Sequence, residues 1–124
     1  MTLQNKAAPA DSRDRILAAL RHKESDRVPI DFGGTDCSSI HVAAYEPLKS
    51  HLGLSLEPAK LTLPGEGILE VDAELRDRFD VDAVPLSFYP KQWRDWRSPE
   101  GIVSFVPELW RPEALPTGEL VLKD

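Results

Sequence analysis

The chain has 124 residues, 41% of them hydrophobic and 29% charged, with a formal net charge of −6. That balance describes one modest globular domain, and its acidic excess excludes sequence-independent nucleic-acid binding, which needs clustered Lys and Arg against phosphates. A single cysteine, Cys37, excludes an internal disulfide framework. No apolar run approaches the ~20 residues that span a bilayer. The opening MTLQNKAAPADSRDR has no apolar centre of the kind secretion requires, so a cytoplasmic location is expected.

Residues 1–11 read as a disordered lead. DSRDRILAALRHK, residues 11–23, reads as a helix: Asp11 or Ser12 can cap its free N–H groups and Asp14 suits the positive end of its dipole. Ile16, Leu17 and Leu20 give it one narrow apolar stripe. ESDR is a turn, VPIDF (28–32) a short strand, and Gly33–Gly34 end it. SSIHVAAYEPLKSHLGL (38–54) is helical in pattern, but Pro47 cannot donate its backbone hydrogen bond. The helix therefore kinks there, or a new one starts with Pro47 in its first turn, and Gly53 closes it. EPAKLTLPGEG (57–67) reads as a connector. GILEVDAELRDRF (67–79) reads as a second helix, with Ile68, Val71, Leu75 and Phe79 at helical spacing, and VDAVPLSF (81–88) as a strand buried on both faces. KQWRDWRSPEGIVSFV (91–106) has the alternation of a hairpin around a Ser98-Pro99-Glu100-Gly101 turn. ELVLK (119–123) adds a third strand through Pro116-Thr117-Gly118.

The series SRDRILAALRHKESDRVPIDFGGT resembles the opening of the uroporphyrinogen decarboxylase superfamily, closest to the decarboxylase-like branch that includes corrinoid-linked methyltransferases. The likeness continues through IHVAAYEPLKSHLGL, LRDRFDVDAV, the Trp-rich hairpin and the closing TGELVL, covering residues 12–124. It implies an α/β chain forming the N-terminal part of a (β/α)8 TIM-type barrel. Residues 12–90 would supply the N-terminal helix and first two βα units, and 91–124 an inserted, Trp-rich antiparallel β-meander. Such a barrel takes roughly 250 residues. The barrel is thus incomplete here, and the chain is expected to be a fragment, a truncated product or one subunit of a split enzyme. The open edges of two parallel strands call for another chain supplying the rest of the barrel, or for self-association.

In barrel terms GGTDCSSIH is the loop after the first strand, at the functional rim. Its spacing matches neither a P-loop nor the dinucleotide-binding fingerprint. Two readings stand: a tight turn with Thr35 or Asp36 as helix cap, or a ligand contact through Gly33, Gly34 and Thr35. Asp31, at the end of the first strand, is a candidate acid/base or substrate ligand; otherwise it accepts N–H groups of the following turn. His41 is the second catalytic candidate, and Tyr89, at the matching end of the second strand, a candidate substrate contact. Cys37 and His41 lie four apart, on one face if the helix starts early, yet one thiol and three scattered histidines make no complete metal site. No cofactor is expected within this chain. The resemblance places a thiol-activating zinc on the later barrel and a corrinoid in the complete assembly.

The resemblance also supplies a test of substrate. The authentic decarboxylase carries an Arg-rich loop after its first strand and an Asp just after its second. Here stand GGTDC, without Arg, and LSFYP, with Tyr89 near the Asp position. An acidic loop repels a polycarboxylate. The leading expectation is therefore methyl transfer on a small-molecule substrate with a corrinoid protein or thiol partner. The alternatives are a decarboxylase of the uroporphyrinogen type and a non-catalytic α/β protein that binds a partner through exposed strands. Trp93, Arg94, Trp96 and Arg97, with Trp110, form an aromatic–Arg set that either packs at an interface or stacks on a flat ligand. Both β-strand tryptophans share a side only if a bulge intervenes.

Overall fold

A computed structural model describes residues 10–86 and 90–122. Residues 1–9 of the expected lead over 1–11, the end of the second expected strand at 87–88, and Tyr89 lie outside the described residues.

Helix α1 spans Ser12–Leu20, α2 Val42–Leu52 and α3 Ala73–Arg78. Strands β1 (Ala59–Leu63), β2 (Ile68–Leu69), β3 (Trp93–Arg97) and β4 (Val103–Pro107) form one sheet in the order β2-β1-β4-β3. Among the described residues, strands β5 (Glu113–Ala114) and β6 (Leu120–Val121) pair only with each other. The result is mixed α/β. The inward face of the sheet carries Ala59, Leu61, Leu69, Ser104 and Val106, all buried. Val42 and Tyr45 of α2 and Leu75 of α3 close the core over it.

The first helix follows its sequence: Asp11 accepts the Asp14 N–H at 2.7 Å as N-cap. α2 runs unbroken through Pro47, and Gly53 ends it in the left-handed conformation. Pro47 and Ala43 are both exposed, so the hydrogen bond lost to proline sits on the solvent side. The expected hairpin is present, from Trp93 opposite Pro107 to Arg97 opposite Val103.

Five elements differ from expectation. AKLTL, read as a connector, is the central strand β1, antiparallel to β2 and parallel to β4. Its alternation is short and bracketed by Pro58 and Pro64, which disguised it. The helix expected over 67–79 is only α3. Ile68 and Leu69 pair instead with Leu63 and Leu61, and Asp72 restarts the helix by accepting the Leu75 N–H at 2.8 Å. VPIDF forms no ladder, and neither do described residues 81–86. The two segments nevertheless lie side by side: the Asp82 N–H donates to Ile30 O at 2.8 Å, and the Asp82 carboxylate accepts the Ile30 N–H at 2.9 Å. A side chain occupies the place of a second backbone pair, which stops the ladder. The third meander strand does not join the hairpin, because β1 already holds the free edge of β4.

Candidate functional site

The glycine-containing loop folds as a turn built by its own side chains. Gly33 has φ +90°, and an added Cβ there would lie 2.7 Å from a Val71 methyl carbon. Asp31 Oδ1 accepts the Gly34 N–H at 2.8 Å, so this carboxylate holds the turn closed. Thr35 caps a single 3-10 turn, Asp36–Ser38, in a reciprocal box. Its Oγ1 accepts the Ser38 N–H at 3.3 Å, and Ser38 Oγ accepts the Thr35 N–H at 2.9 Å. Gly33, Gly34 and Thr35 then line a cleft of about 230 Å³ with Asp36, Ser39 and Glu70. Asp31 does not line it. Tyr89 lies outside the described residues.

His41 goes elsewhere. It is the N-cap of α2, with Nδ1 accepting the Ala43 N–H at 3.1 Å, which leaves the ring proton on Nε2. Cys37 and His41 therefore belong to separate helical segments rather than one face. Among the described residues, no group of three or more His, Cys, Asp or Glu side chains is placed to hold a metal ion. His41 lines the larger cleft, about 800 Å³, between the α2 N-terminus, the hairpin turn and the C-terminal strands. Trp96 and Trp110 line the same cleft, ring centroids 5.2 Å apart and edge to face. The β3–β4 pairing has no bulge, so Trp93 and Trp96 lie on opposite faces, and Lys60 Nζ stands 5.6 Å above the Trp93 ring instead.

Two charged clusters escaped the sequence reading. Asp82, its side chain fully buried, accepts Arg15 Nη1 at 3.0 Å and both Nη atoms of Arg27. Arg15 also holds Asp26 at 2.8 Å, and Arg27 holds Asp80 at 2.8 Å. The Arg15 guanidinium brings the Asp26 carboxyl down to about 2. Burial opposes ionisation of Asp82, but the Ile30 N–H and the Arg27 and Arg15 donors outweigh it and hold that carboxyl below its usual range. In the second cluster Lys49, 2% exposed, pairs with Asp72, lies 3.4 Å from Glu74 and sits 5.3 Å over the Tyr45 ring. Tyr45 also donates to Asp72. Burial first, then the Asp72 carboxylate, push the Tyr45 phenol up. Lys49 was detectable, since it shares the buried α2 face with Val42 and Tyr45. Its ammonium is neutralised by carboxylates, so the cluster clamps α2 to α3 and presents no free base or nucleophile.

Among the described residues no helix is long and apolar enough to cross a membrane. Comparison with known proteins finds no match to a family model, to a curated protein or to a solved structure.

Proposed function

We propose that this chain is the N-terminal portion of a cytoplasmic, uroporphyrinogen-decarboxylase-like (β/α)8 enzyme, and that the complete enzyme transfers a methyl group with a corrinoid or thiol partner. One observation supports the incomplete-barrel part of this reading. The neighbouring segments 28–32 and 81–86 expose alternate apolar residues, Val28 and Ile30 on one, Val84 and Leu86 on the other. Two extended segments with an outward apolar face are what the first two barrel strands look like before the rest of a barrel covers them. The chemistry rests on the sequence resemblance. The acidic loop cleft, with Asp36 and Glu70 and no lysine or arginine among its described lining residues, supports methyl transfer over decarboxylation of a polycarboxylate. In this reading Gly33, Gly34 and Thr35 contact substrate, and Asp31 holds the turn that presents them. Zinc and corrinoid belong to parts of the assembly beyond this chain.

The test is co-expression with the polypeptide encoded downstream, followed by two assays on the purified complex: methyl transfer from methylcobalamin to a thiol, and CO2 release from uroporphyrinogen. Methyl transfer without CO2 release is expected. CO2 release would establish the decarboxylase alternative, and neither activity in a stable complex would favour the non-catalytic partner-binding protein.

A further inference from the structure

The larger cleft is independent of the glycine loop and of the barrel reading. Its floor is apolar, formed by Leu61, Ile102 and the two indoles of Trp96 and Trp110. Its volume of about 800 Å³ falls in the range of small-molecule sites. The charge of its lining is one-sided. Among the described lining residues, Glu66 and Glu100 carry full charge, and no lysine or arginine is among them. The Ser98 hydroxyl holds the Glu100 carboxyl below its usual range. His41 Nδ1 is occupied by the Ala43 N–H. The described lining therefore offers carboxylates and aromatic rings, both of which attract a cation, and no lysine or arginine to hold a carboxylate or phosphate. The net charge of −6 adds a field of the same sign.

We propose that this cleft binds an organic cation with a flat apolar body, an aromatic amine or quaternary ammonium, its ring against Trp96 and Trp110 and its charge toward Glu66 and Glu100. Packing between the sheet and the C-terminal strands explains why two tryptophans are there. It does not explain why the cleft beside them stays open, with Glu66 and Glu100 as the charged residues among its described lining.

The test uses the full chain and three probes that differ only in charge: 2-naphthylmethylammonium, 2-naphthalenemethanol and 2-naphthylacetate. Affinity is measured by calorimetry and the site by indole N–H shifts in NMR spectra. The cation is expected to bind about tenfold or more tightly than the anion, with shifts at Trp96 and Trp110. Trp110→Ala should weaken it about tenfold. Glu100→Gln should weaken the cation several-fold and leave the neutral probe unchanged. Equal or tighter binding of the neutral or anionic probe overturns the proposal, and so does the absence of binding at millimolar cation or an unchanged affinity in Glu100→Gln. Should Trp110→Ala fail to fold, the surface variant Glu100→Gln still decides.

Discussion

The layer of α2 on the four-stranded sheet and the N-terminal region of α1 with segments 26–32 and 80–86 are held by different physics. In the first, Leu61, Leu75 and Val106 are fully buried and apolar contact carries most of the packing, beside the buried Lys49–Asp72 pair. In the second, the most buried side chain is a carboxylate, Asp82, gripped by two arginines. Phe32 and Phe79 add one edge-to-face contact, centroids 5.5 Å apart. Meanwhile Val28, Val84 and Leu86 are 81%, 72% and 103% exposed. A region that spends its apolar residues on the outside and fixes its backbone with ion pairs is organised to present a surface. The hairpin layer is organised to bury one.

That contrast breaks most easily at Asp82. Asp82→Ala leaves Arg15 and Arg27 without their shared carboxylate and Ile30 N–H without its acceptor. A loss of about 3–5 kcal/mol is expected, read as a lower denaturation midpoint. Loss of less than 1 kcal/mol would show the network to be ornamental. Leu61→Ala, in the other region, should cost about 2–5 kcal/mol through cavity formation, with no change in its effect between low and high salt.

Acid sharpens the comparison. Asp26 and Asp82 both have depressed folded-state carboxyls, so each stabilises above the ordinary carboxylate range near pH ~4. That stabilisation is lost as pH falls through the lowered folded-state values, about 2 for Asp26 and lower still for Asp82. Amide exchange should show the Ile30 and Asp82 N–H groups losing protection before those of β3 and β4. Simultaneous loss would mean the two regions do not differ as described. Gly33→Ala meets both a positive φ and a Val71 methyl, and should cost about 1–3 kcal/mol. Gly34→Ala has no positive φ to strain, but its Cβ meets the Asp31 carboxylate and, at 3.1 Å, the Ala83 Cβ, and it should cost less than Gly33→Ala. The smallest effect is at His41. Because it caps α2, His41→Ala should cost about 1 kcal/mol and His41→Asn should restore most of it.

What was legible in the sequence was what local chemistry decides. The Asp11 cap, the Gly53 stop, the Ser98–Gly101 hairpin turn and the turn-forming role of Asp31 all depend on neighbours a few residues away. What was not legible depends on distant partners. AKLTL becomes a strand because β4, some forty residues later, lies beside it. Ile68 and Leu69 leave a helical pattern because β1 takes them. The side-by-side placement of Ile30 and Asp82 follows from Arg15 on α1 and from Arg27, whose partner lies more than fifty residues away. The candidate site divided for the same reason: Gly33, Gly34 and Thr35 were placed together by their own turn, whereas His41 was carried by α2 to a cleft whose walls come from the far end of the chain.

The exposed apolar face over Val28, Val84 and Leu86 is the feature on which the incomplete-barrel reading depends, and its most direct test is the mass of the particle in solution. Light scattering after size exclusion should give the isolated 13.8 kDa chain a mass of more than one copy. Leu86→Lys with Val84→Glu should return it to a single copy without lowering the melting midpoint. A wild-type chain that runs as a monomer and melts cooperatively would contradict the reading, since that face would then need no cover.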